Sequence, residues 1–439
     1  MKPRTMKSLS TLSLFVALAL PIRIAGQQNP ATQESSVKHA VRYTVTDLGT
    51  LGGTFSLAYG INEKGQIDGF STLPGDTVEH AFLFKDGAML DLGTLGGPNS
   101  QTFAGLNEAT EIVGSAEIPA ADPHVENFCG FGTNLICLAF LWKDGMMTPL
   151  ETLGGNNGQA SEVNREGQIA GYTENSSSDP DCPVPQVLQF RPVIWAKGEI
   201  RTLPLYKSDP EGAAFWINNK GEVVGASGVC AAYDPRYGLP LEPQHALLWR
   251  NHREVDLGTL GGKTNNAAFA INDFSEVVGA SDIPGDTYQH AFIWRRGEMC
   301  DLGTLPGDAV SAAVAISDRG QVTGVSIDGS GNQRAFLWQH GVMKDLNSLI
   351  PADSPLFLIH GFGINSEGQI VGLALDTVTG NVHAFLATPT QCDEDGEQCL
   401  SAAAVSPGGA KFALPEKARE QLRQWAHSHR MVSVPTKTQ

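Results

Sequence analysis

The chain carries one phrase seven times, and the strand missing from its last repeat stands instead at the N-terminal end of the first. Clear copies read DLGTLGG at Asp47–Gly53, Asp91–Gly97 and Asp256–Gly262 and DLGTLPG at Asp301–Gly307, with degraded copies starting at Glu151, Arg201 and Asp345. Leu51, Leu95, Leu153, Leu203, Leu260, Leu305 and Leu349 mark equivalent points, spaced 44, 58, 50, 57, 45 and 44 residues apart. A period in that range suits one β-propeller blade per repeat. An open solenoid is the competing architecture, but it would have no need of a displaced strand.

One repeat divides into four strands. Ser56–Ile61 (SLAYGI) has the small, alternating residues of a crowded buried strand, a. Asn62-Glu63-Lys64-Gly65 is a hairpin signal, with Asn opening the turn and Gly supplying a positive φ. Strand b, Gln66–Ser71 (QIDGFS), has counterparts at Glu111, Glu222, Glu276 and Gln369. Strand c, His80–Phe84 (HAFLF), is echoed at His245, His290 and Arg334, with aromatic ends at Trp142, Trp195, Trp249, Trp294 and Trp338. These aromatics recur in register with an apolar strand, so packing between blades explains them better than a sugar-stacking row. The Asp86-Gly87 turn leads to strand d, Ala88–Leu92. The seventh unit ends after strand c at His383–Leu386, and Tyr43–Gly49 matches the missing strand d. The expected fold is all-β: a seven-bladed propeller of four-stranded antiparallel blades over 41–389, its ring closed by the N-terminal strand. Closure leaves no sheet edge open to aggregation.

Three phrases recurring in fixed order, HAF-(L/I)-W, IN-x-x-G-(Q/E)-(I/V)-x-G and DLGTLGG, resemble the bacterial HAF-repeat extracellular proteins across about four fifths of the chain. The resemblance implies a secreted repeat protein and carries no common activity or catalytic residue. Departures fall at Arg191 (RPV), at His245 (HAL) and in the corner beginning at Thr202.

Residues 1–26 read as a cleaved secretory signal: Lys2, Arg4 and Lys7 precede an apolar run, Leu9–Leu20, too short to span a bilayer. A disordered linker is expected over 27–40. Removing the signal takes four positive charges and no acid, moving the formal charge from −17 to −21. That balance argues against nucleic acid or an anionic membrane as the main partner. No later stretch could span a bilayer, so a soluble mature protein without membrane insertion is expected, with a monomer as the expected state and an extracellular protein or glycan as the expected partner. The tail, 390–439, holds a Cys392–Cys399 loop and, near Pro415–Met431, a short amphipathic helix.

The seven cysteines suit local disulfides, Cys129 with Cys137, Cys182 with Cys230 and Cys392 with Cys399, leaving Cys300 as the odd thiol. No two have metal-ligand spacing. No cofactor is expected; the Asp76 and Asp286 carboxylates of Pro-Gly-Asp read as turn formers before calcium ligands. His80, His245, His290 and His383 open strand c in four blades, and a group repeated per blade reads as part of the blade's own hydrogen bonding. No catalytic residue is assigned. Three consecutive b-to-c connections are enlarged, Glu117–Cys137, Glu174–Phe190 and Gly228–Gln244. They offer Phe128 and Phe131, Asp179 and Asp181, then Tyr233, Asp234, Arg236 and Tyr237 as a ligand-binding face. The competing classes are a carbohydrate-active hydrolase or lyase with its site at the axis, and a structural or adhesive surface component.

Overall fold

The computed structural model describes residues 42–234, 239–251, 253–390 and, further on, 413–416, 418, 419 and 422. The expected signal, the linker and the Cys392–Cys399 loop lie outside them.

The chain forms seven four-stranded antiparallel sheets in sequential order. Blade 1 comprises Ser56–Ile61, Ile67–Thr72, Glu79–Lys85 and Ala88–Asp91, within a residue or so of the expected strands. Its c-to-d turn has positive φ at both central residues, 52° at Asp86 and 78° at Gly87. That geometry matches the twist of the flanking strands. Blade 7 takes Leu356–Ile364, Ile370–Asp376 and Val382–Thr390 in the same order, with Arg42–Asp47 as its outer strand, Tyr43 opposite Pro389 and Asp47 opposite Phe385.

Strand a carries a β-bulge in every blade, just ahead of the hairpin, and the pattern of residues had given no sign of it. A bulge bends the strand and re-aims a side chain. The bulged residues include Tyr59, Phe103, Phe215, Phe269 and Phe362, which pack across blades: Tyr59 lies 5.5 Å from Phe103 and 4.9 Å from Phe362, and Phe215 lies 5.9 Å from Phe269. The strand c tryptophans are buried between blades, as their register indicated. Trp142 and Phe140, for example, share a cluster with Ala81, Leu83 and Leu92 of the preceding blade.

Two polar devices set the blade positions. The first joins the HAF and DLG phrases: His80 Nδ1 meets Asp91 at 2.8 Å, His290 meets Asp301 at 2.9 Å, and His383 meets Asp47, on the displaced strand, at 2.9 Å. The same aspartates accept from the amides of Gly93, Gly303 and Gly49, shaping the corner that follows. His245 departs by pairing with Asp209, and Arg334 replaces the histidine by bridging Asp308 and Asp345.

The second device is a belt around the axis. Asn62 Oδ1 accepts from the amides of Lys64 and Gln66 and so shapes its own turn. Its Nδ2 donates to the Asn107 carbonyl of the next blade at 3.1 Å. The link repeats from Asn107 to Asn164, Asn164 to Asn218, Asn218 to Asn272 and Asn272 to Ser317, and from Asn365 of blade 7 back to Asn62. Blade 6 has Ser317 where the others have asparagine.

Asn218→Ala strips partners from two amides and a buried carbonyl and should cost about 2–4 kcal/mol in urea unfolding, whereas Ser317→Asn should add about 0.5–1.5 kcal/mol by extending the belt. Equal stabilities of parent and both variants would show that the belt does not hold the blades.

Candidate functional site

The enlarged b-to-c connections of blades 2–4 combine lengthened strands with the loops that join them. Strand b of blade 2 runs to Ala121 and strand c starts at Leu135; in blade 3 the ends are Ser178 and Leu188, and in blade 4 Asp234 and Leu239. Part of each insertion extends the ladder and satisfies its backbone groups on the partner strand, while residues 122–134 of blade 2 and 179–187 of blade 3 connect the strands as loops.

Neighbouring hairpins are braced together. Cys129–Cys137 closes the blade 2 tip, and Cys182–Cys230 joins hairpins 3 and 4; Cys300 is free and exposed on an outer strand. Phe128 is only 4% exposed and packs on Tyr172 at 5.6 Å and Phe190 at 6.4 Å, while Phe131 is half-buried against the same cluster. These two phenylalanines therefore brace the hairpins rather than present themselves to a ligand. Asp179 is buried and caps the Asp181 amide; Asp181 itself is exposed. Tyr233 and Asp234 fall at the end of a strand with their side chains outside the described residues, as Arg236 and Tyr237 are entirely. The exposed apolar residues at the described tips are Val125, 59% exposed, and Val184, 87% exposed.

Beneath the tips lie buried carboxyls that sequence reasoning did not single out. Asn157 Nδ2 reaches Asp122 at 2.9 Å, Glu174 at 3.0 Å and Glu126 at 3.4 Å. Glu126 Oε1 also accepts from the Val187 and Leu188 amides, tying hairpin 2 to hairpin 3. Burial, together with the Glu126 charge, pushes Glu174 up to about 8 against the pull of Gln186 and Asn157. Glu211 is pushed up to about 9 by burial, opposed by the Phe190 amide and Arg191 and reinforced by Asp179. Asp179, Cys182 and Glu211 offer atoms within 4.8 Å of one another, but Cys182 Sγ is committed to its disulfide, which leaves a carboxyl pair rather than a metal ligand set.

A second site opens at the other end of the axis, among the a-to-b hairpins. A cavity of about 150 Å³ is lined by all seven blades. In strand a, the second residue before the hairpin asparagine or serine is Gly60, Gly105, Glu162, Trp216, Ala270, Ala315 or Gly363. Five are small, and the two exceptions are adjacent blades' contributions to the cavity wall. That break in an otherwise repeated pattern was the readable signal for this site. Glu162 is 6% exposed, and burial first, then the Asp68 charge, holds its carboxyl well above the usual range. Asp68 is also unique among the b strands and is pushed up to about 6 by burial; Thr102 and the amides of Gly60 and Ala104 oppose the shift without closing well-formed hydrogen bonds.

No protein-family model and no curated protein matches the chain. Among solved structures it is similar to the β-propeller domain of the Trilobed protease from Pyrococcus furiosus, with 13% identity over 78% of this chain and 97% of that one and a TM-score of 0.45. It is also similar to the Pyrococcus horikoshii acylaminoacyl peptidase, with 12% identity over 79% of this chain and 54% of that one and a TM-score of 0.45. A Xanthomonas campestris gluconolactonase matches at 10% identity over 80% of this chain and 95% of that one, with a TM-score of 0.33. The chain spans about half the length of the peptidase. At these levels the likenesses concern the propeller fold.

Glu174 and Glu211 hold protons in the folded chain that an unfolded chain releases near the ordinary value of 4.5. Their contribution to stability is full below that pH and is lost as pH rises through 8 to 9. Glu211→Gln puts a permanent donor beside Asp179, so its melting temperature should fall less between pH 5 and pH 9 than the parent's. Parallel pH profiles for the two proteins would remove Glu211 from the account.

Proposed function

We propose that the chain is an exported propeller of the HAF-repeat kind that serves as a non-enzymatic binding platform for an extracellular protein or glycan. The observation carrying this reading is the braced slab of three hairpins on blades 2–4, held by a disulfide, shared carboxylate–amide hydrogen bonds and a common apolar cluster. Rigid projections lose little conformational entropy on binding, which favours recognition built there. Val125 and Val184 would supply apolar contact at neighbouring tips, and Tyr233–Tyr237 the aromatic and cationic anchors of the third. Two disulfides agree with an oxidising compartment, and among the described residues no helix is long and apolar enough to cross a membrane.

Within this reading the Arg42–Asp47 strand is the clasp that closes the ring, since its pairing with Val382–Thr390 joins the two ends of the propeller. The C-terminal part would form a short amphipathic helix docked over the axis. Leu414, Ala418 and Leu422 fall four residues apart and are buried with Tyr59, Phe70, Phe103 and Phe362, the Arg419 amide donates to Pro415 O at 3.0 Å, and Arg419 Nη2 reaches Asn332 at 3.1 Å.

A second reading, a carbohydrate-active enzyme at the axis, draws on the non-repeating carboxyls Asp68 and Glu162. Glu162 lines the cavity, whereas Asp68 packs behind Gly60, so close that a Cβ there would collide with its Oδ1. The pair does not face a common substrate space, so binding is the stronger reading.

Deleting Tyr233–Tyr237 should abolish retention on a glycan and cell-envelope array while leaving the melting temperature unchanged. Unaltered retention would end the platform reading, and product released in the same wells would favour the enzyme. Separately, Leu422→Ala should cost about 2–4 kcal/mol as a buried leucine truncation; an unchanged unfolding midpoint would show that the tail does not dock.

A further inference from the structure

The axial cavity is lined by a carboxylate and an indole from adjacent blades, the only two at which the repeat departs from a small residue. We infer that this cavity binds a small organic cation, its ammonium group seated between the Glu162 carboxylate and the Trp216 ring. Three features of the site argue for that chemistry.

The first is the state of the acid. Glu162 Oε1 accepts from the neighbouring Val163 amide at 3.0 Å, and no other residue among the described ones donates to it. Asp68, fully buried behind Gly60, lies outside the cavity lining and supplies no donor to Glu162. Buried carboxyls are nearly always more fully hydrogen-bonded, so an acid on a cavity wall with a single neighbouring amide as donor marks a place where something else binds.

The second is size and shape. A void of about 150 Å³ accommodates a benzene-sized molecule, which is also the size of a trimethylammonium group with a short stem. On the far side, the axis is filled by the bulge aromatics Tyr59, Phe103 and Phe362 together with Leu414, Ala418 and Leu422. The cavity is therefore reached from the a-to-b hairpins.

The third is the field at the entrance. Glu63, Glu108, Asp273 and Asp318 ring it, each fixed as the acceptor of an adjacent blade's backbone amide, against Arg165 as the positive rim residue. Fixed carboxylates raise the local concentration of cations. Once inside, a cation over an indole gains an attraction that strengthens as water is excluded.

The test is calorimetric titration of the purified chain with choline and with its neutral isostere 3,3-dimethylbutan-1-ol, followed by tryptophan fluorescence. Choline should bind saturably at one site, and the isostere at least about 10-fold more weakly, as befits the loss of a desolvated cation–π contact. Glu162→Gln and Trp216→Leu should each weaken choline by about 10-fold or more, with Trp216→Phe intermediate, provided each variant melts cooperatively. Deletion of Tyr233–Tyr237 should leave choline binding unchanged, which separates this site from the hairpin platform. Because burial holds Glu162 protonated above the usual range and a bound cation favours its ionised form, binding should release protons and tighten as pH rises, with Asp68 and the four rim carboxylates adding to the field and Arg165 opposing it. No binding of choline, equal binding of the isostere, or undiminished binding by Glu162→Gln would each overturn the assignment.

Discussion

The hydrogen bond from a hairpin asparagine to the next blade's carbonyl is the contact on which the rest of the propeller depends. Apolar burial between blades is strong but non-directional, and it would tolerate a range of blade rotations. The belt removes that freedom, because one planar amide must shape its own turn through Oδ1 and reach the neighbour through Nδ2. Local hairpin formation and docking of adjacent blades are thus the same event. The side chains are nearly excluded from water, so breaking a link leaves buried partners unsatisfied rather than returned to solvent. At Ser317, where the link is lost, Arg334 in the same blade bridges Asp308 and Asp345 and holds the outer strands where other blades use a histidine.

What could be read from residues was whatever the repeat expressed locally. The turn at Asn62–Gly65, the strands Ser56–Ile61 and Ala88–Asp91, and the pairing of Cys129 with Cys137 and Cys182 with Cys230 depend on neighbours in sequence or on equivalent places in adjacent repeats. The histidines of HAF were legible as hydrogen-bonding members of the blade, but not their partner, since that depends on strand d lying beside strand c. The bulge ahead of each hairpin was not legible, because Tyr59, Phe215 and Phe362 look like ordinary members of an alternating strand. Phe128 was misread for a related reason. An aromatic in a long connection suggests an exposed anchor, yet the connection is a hairpin folded over an apolar cluster that only the neighbouring blades provide.

The molecule is symmetric where it is stable and asymmetric where it is chemically distinctive. The belt, the tryptophan packing and the histidine–aspartate pairs recur; the buried Glu126–Glu174 and Asp179–Glu211 groups occur once, under the hairpins, and Glu162 and Trp216 once, at the axis. The carboxyls among them are desolvated and depend on the hydrogen bonds and protons that their surroundings supply. A carboxyl without full solvation is an expense that a repeat fold could avoid by keeping the residue its other blades use.

That comparison is internal to the chain, and this gives it force. Five blades show that glycine or alanine at the axial position makes a sound strand, so Glu162 and Trp216 are not required for folding there. Near them Ala104 holds a positive φ of 78°, a conformation costly for a residue with a Cβ. The positive φ of Ala104, the desolvated acid Glu162 and the indole of Trp216 therefore line one cavity from the consecutive blades 2, 3 and 4, while the other blades meet the axis with small side chains. A buried acid and an indole at one axial level, in a scaffold that shows the small-residue alternative five times, are what a position kept for something other than folding would look like.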